Sequence, residues 1–91
     1  MASDAKVGQV GELRQFGKNL STASNALSTL FSQLGAQMNR VLSTWDDKKT
    51  QQFMSEFTQG RAQVDKLSQS MMEFSRDIEE KCRILDEYMS H

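Results

Sequence analysis

Ninety-one residues with 37% hydrophobic and 25% charged side chains, one cysteine, no proline and a net charge of −1 make one small domain of low mean hydropathy, −0.60. No stretch approaches the roughly 18 apolar residues of a membrane span, a lone cysteine excludes an intrachain disulfide, and the N-terminus lacks the basic-then-apolar order of a secretory signal peptide. Residues 1–45 hold four basic and two acidic side chains and residues 46–91 seven and ten, so the interleaved charges exclude the basic footprint of a nucleic-acid binder.

Residues 1–9 mix Ser, Asp, Lys and Gly with little apolar content and read as a flexible tail or a frayed helix start. From residue 10 to 44 the pattern is that of a helix. Leu13, Leu20, Leu27, Leu34 and Val41 recur every seven residues, with a second, shorter row of Phe16, Ala23 and Leu30 beside them. Between Lys18 and Arg40 this helix has no charge, only Ser, Thr, Asn and Gln among its apolar residues. Those residues are mediocre helix formers, so packing must hold the segment helical. Burying it between two hairpins would cost no charge desolvation.

Seven polar residues, Asp46 to Gln52, follow the only tryptophan, Trp45. Downstream, Phe57, Val64, Met71, Ile78 and Leu85 form a new seven-residue series. It is out of phase with the first, because Val41 to Phe57 is two heptads plus two, and one straight helix would send the stripes to different sides. A turn at residues 45–47 (Trp45, Asp46, Asp47) removes the conflict. Asp46, or Asp47 alone or with Thr44, offers the oxygen that caps a second helix over residues 48–88, leaving 89–91 as a tail. The fold class expected is all-α, an antiparallel two-helix hairpin.

Counting outward from that turn, facing positions sum to about 91. The predicted core is Leu13, Gly17, Leu20, Leu27, Phe31, Leu34, Met38 and Val41 against Gly60, Val64, Leu67, Met71, Phe74, Ile78 and Leu85. Gly17 then faces Phe74 and Phe31 faces Gly60, a size match in both directions, so that Leu at position 60 would overpack the hairpin. Helix two outruns helix one in this register and leaves Ile84, Tyr88 and Met89, with the Phe16–Ala23–Leu30 row, as a candidate partner surface. Two helices bury one face each, so stability calls for a second hairpin, either a copy of this chain or a related one, completing a four-helix bundle.

Chemistry has little to work with. His91, the last residue, is the only imidazole and reads as mobile. Cys82 falls beside the apolar stripe as a small hydrophobe, and no metal cluster or phosphate loop is present. No catalytic residue, cofactor or metal is expected.

A hairpin of this length with a tryptophan at the bend, and with Phe53 and Phe57 eight and twelve residues after it, resembles the WXG family of small proteins handled by type VII secretion systems. Asp47 stands where the family usually has Gly, which points to a capped turn. The family's export signal, Tyr followed four residues later by an acid, is not met by Tyr88, so export would depend on a partner that carries it. The resemblance implies a non-enzymatic, dimerising hairpin, secreted without a signal peptide and paired with itself, a related hairpin or an effector's helical domain. Trp45 would then stand exposed at the tip; alternatively it plugs the end of the core against Val41 and Phe53. Two other readings are a cytoplasmic adaptor or secretion chaperone, and a polymerising, needle-like hairpin subunit.

Overall fold

The structure, a computed structural model, describes the backbone of residues 2–90 and the side chains of residues 9–90; Met1 and His91, and with them the reading of His91 as mobile, lie outside the described residues. Two helices, α1 (Ala2–Leu42) and α2 (Lys48–Met89), form an antiparallel hairpin measuring 66 × 18 × 15 Å. Helix α1 begins within the segment expected as a tail and ends two residues earlier than expected. The two helices are therefore nearly equal, 41 and 42 residues, and the overhang predicted for the end of α2 is not there.

The turn needs no glycine. No described residue has positive φ, and Asp47 sits at φ −67, ψ 153, extended backbone that suits a helix N-cap. Its carboxylate accepts from the Thr50 amide (3.1 Å) and the Thr50 hydroxyl (2.8 Å), satisfying one of the amides that a helix start leaves free. These bonds, the hydroxyl's first, hold the Asp47 carboxyl below the usual carboxylate range. The Trp45 amide donates to Leu42 O and the Gln51 side chain donates to Trp45 O, fixing the bend from both ends.

What joins the helices is a ladder of small residues. At seven-residue steps, a side chain of α2 donates to a carbonyl of α1: Cys82 to Val10, Ser75 to Gly17, and Ser68 to Ser24. In each pair the residue numbers add to 92, one more than predicted. Short side chains let the backbones approach, and the hydroxyls lose no hydrogen bond on burial. The described core is correspondingly slight: Val10, Ile78 and Cys82 are buried, with Leu13, Leu20 and Leu85 packed against them. Toward the turn the ladder gives way to aromatics, with the Phe31 and Phe57 rings 5.7 Å apart. At the open end Arg14 and Asp86 form an ion pair across the hairpin.

The expected glycine–phenylalanine pairs are not those observed. Gly17 meets Ile78 and Ser75, while Phe74 is half exposed. A side chain at Gly60 would find nothing within 4 Å, so overpacking there does not arise within the hairpin, and Phe31 has Phe57 as its partner. The glycine that approaches α2 near the turn is Gly35, against Arg61 and Phe57.

Candidate functional site

The ladder defines two flanks. One residue before each rung lies about 100° around the helix axis: Phe16, Ala23 and Leu30 precede Gly17, Ser24 and Phe31, and Phe74, Leu67 and Gly60 precede Ser75, Ser68 and Arg61. Because the helices run antiparallel, the same rotation in each brings both rows to one side of the hairpin. Residues one place after the rungs, Lys18, Asn25 and Ser32 on α1 with Gln69 and Arg76 on α2, fall on the other side and line its shallow polar grooves. The hairpin thus has one apolar face and one polar face.

The apolar face is uncovered. Phe16, Leu30 and Phe74 are each 50% exposed and Leu67 56%. Toward the turn the face continues as a cleft lined by Leu34, Met38, Val41, Leu42, Phe53 and Phe57, with Gln37 as its polar member. A compact monomer of 10.3 kDa exposes about 5,400 Å², whereas this chain exposes 7132 Å². The surplus, about 1,700 Å², is roughly twice the 800 Å² that one side of a standard protein interface buries.

Residues expected in the hairpin core divide accordingly. Gly17 and Ile78 are buried; Leu13, Leu20, Leu27, Phe31, Met38, Val64, Met71 and Leu85 are half-buried. Leu34, Val41, Leu67 and Phe74 are exposed, a correction to their assignment to the hairpin interior: each sits on the outer flank of the seam. Of the expected partner surface, Phe16, Leu30, Ile84, Tyr88 and Met89 are exposed and Ala23 is half-buried. Trp45 stands 57% exposed at the turn, and Val41 and Phe53 are exposed too, so it does not plug the core. Asp46 is exposed and Asp47 is the cap.

Sequence reasoning missed Val10, Ser24, Gly35, Ser68 and Ser75. The signal for the serines is the heptad spacing of small residues, Gly17–Ser24 and Ser68–Ser75–Cys82, which runs beside the more conspicuous apolar series.

A family model for a WXG100 like domain matches residues 9–87, nearly the whole described chain. The chain belongs to the WXG100-like family. No curated protein and no solved structure matches it. In this WXG100-like hairpin, Asp47 at the turn has an extended conformation that imposes no need for a glycine. Among the described residues no three His, Cys, Asp or Glu side chains gather as metal ligands, and no helix is long and apolar enough to cross a membrane. Three acids and two bases on α2 pair with each other along its outer surface, Lys81 with Asp77 and Arg83 with Glu80 and Glu87. Such exposed pairs contribute little stability.

Proposed function

We propose that this WXG100-like hairpin is a non-enzymatic interaction module of a type VII-like secretion pathway, exported or co-exported in complex with a helical partner that completes a four-helix bundle. The observation that supports this most is the uncovered apolar face, to which both helices contribute and which runs toward the turn, where Trp45 is exposed. A bundle partner laid along it removes apolar surface at about 25 cal/mol per Å², where the described core of the hairpin has three buried apolar side chains. Membership of the WXG100-like family supports the pathway reading.

The test is to follow the native protein in washed cells and in cell-free culture medium of the source organism, with and without an intact type VII system and with a cytoplasmic protein as lysis control. Accumulation in the medium that depends on the system supports the reading. Retention inside well-expressing cells with an intact system overturns export and leaves an intracellular adaptor.

A further inference from the structure

We propose that the polar face of the hairpin carries a carboxylate site at Arg61, and that its occupant is an acidic side chain of a polypeptide segment lying along the groove. The site is on the side away from the apolar face, so it stands whatever covers that face.

Arg61 lies at the level of Phe31, where the rungs of the seam continue toward the turn. It is half-buried, and Gly35 of α1 is buried beside it. A Cβ on Gly35 would come 2.7 Å from Arg61 Nη1 and 3.7 Å from Cζ, so the guanidinium occupies the room that this glycine leaves on the α1 backbone. Yet among the described residues Arg61 takes part in no ion pair, whereas Arg14, Lys81 and Arg83 all do. A guanidinium is a planar fork of N–H donors that fits the two oxygens of a carboxylate, and partial burial strengthens that attraction over its value in open water. Ser28 and Ser32 line the same groove. They belong to the stretch of α1 between Lys18 and Arg40 that has no charge, so α1 supplies hydroxyls there and no competing acid.

The rest of the groove selects the occupant. Asp65 and Glu73 also line it and repel a dianion more than a single carboxylate. Arg76, which lines it as well and is likewise in no described ion pair, lies fifteen residues beyond Arg61, about 22 Å along the helix. A small acid reaches one of these cations. An extended polypeptide at roughly 3.3 Å per residue reaches both with acids about seven residues apart.

The experiment follows the Arg61 Nε–H signal by NMR in the purified full chain. The probes are acetate, sulfate and a capped peptide with two glutamates seven residues apart, each added at constant ionic strength. Expected is a saturable shift with acetate and with the peptide, a weaker response to sulfate, and peptide binding about tenfold or more tighter than acetate because a second contact at Arg76 is then intramolecular. Arg76→Gln should remove that advantage and leave the acetate response. Gly35→Ala, whose Cβ meets only a side chain that can swing away, should keep the helical circular dichroism spectrum and weaken both ligands roughly tenfold by displacing the fork. Arg61→Lys, read at the amides of Ser28 and Ser32, should do the same, since it keeps the charge and loses the fork. An acetate shift that never saturates, equals that of sulfate or survives in Gly35→Ala overturns the carboxylate site. A saturable acetate response with a peptide that binds no tighter overturns a polypeptide as the occupant.

Discussion

Ser24 and Ser68 hold each other's backbones: each hydroxyl reaches the other residue's carbonyl, at 2.7 and 2.9 Å, and the two hydroxyl oxygens are 2.6 Å apart. Both are buried, so the pair sets the register of the hairpin without a large side chain. Ser68→Ala leaves Ser24 its bond to the carbonyl of residue 68 and is expected to cost about 1 kcal/mol. Ser24→Ala should cost a similar amount. The double variant should lose less than the two together, a coupling of about 0.5 kcal/mol or more in a denaturant-unfolding cycle.

Glycines at two levels should respond differently to a methyl group. At Gly17 an added Cβ would sit 2.9 Å from Ile78 Cγ2, and Ile78 is 1% exposed and has nowhere to go. Gly17→Ala should therefore lose about 1–3 kcal/mol from overpacking, partly offset by the ~1 kcal/mol helix preference of Ala. At Gly35 the near atom is the flexible end of Arg61, at 2.7 Å, so Gly35→Ala should be neutral or gain up to about 1 kcal/mol. Urea midpoints of the two variants moving in the same direction would contradict this packing.

Acid should loosen the turn. The Asp47 carboxyl is held below its ordinary range by the Thr50 hydroxyl and amide. A carboxyl with a lowered folded pKa contributes stability that is fully present above its unfolded value of about 3.9 and is lost as pH falls through the lower folded value. Melting temperature should fall over that acid window, and the part due to Asp47 should vanish in Asp47→Asn, which keeps a capping oxygen. Asp47→Ala should lower it at pH 7 as well. Thermal melts of the three proteins from pH 7 to pH 2 decide the point.

Leu67→Glu tests the uncovered face without touching the seam. Leu67 is 56% exposed in the single hairpin, so the substitution removes little packing there. In a covered bundle it buries a charge with no partner, costing several kcal/mol. Loss of helicity and of self-association in Leu67→Glu is expected; a circular dichroism spectrum and a sedimentation profile like the wild type's would speak against a covered face.

Much of the fold was legible in the chain before its coordinates. The phase break between Val41 and Phe57 predicted two helices and a bend, the polar run after Trp45 located the turn, and counting from it placed the register within one residue. The seam itself was less legible. Heptad repeats of Leu and Phe mark apolar surface but do not say which partner covers it, so Leu67 and Phe74 were assigned to the hairpin when they line its outer flank. Serines are ordinarily read as solvent-facing, and only the ladder spacing of Ser24, Ser68 and Ser75 distinguishes those that donate to a backbone across the seam. Counting sets Gly60 against Phe31, but in the hairpin nothing lies within 4 Å of a Cβ at Gly60 and Phe31 packs on Phe57.

The central claim is that the hairpin is completed by covering its apolar face. Circular dichroism melts of the purified chain over a hundredfold range of concentration test it most directly, because folding coupled to association makes the midpoint depend on concentration. The account predicts a midpoint that rises steadily as the chain is concentrated. A cooperative transition at one temperature throughout, from a 10.3 kDa monomer, would contradict it.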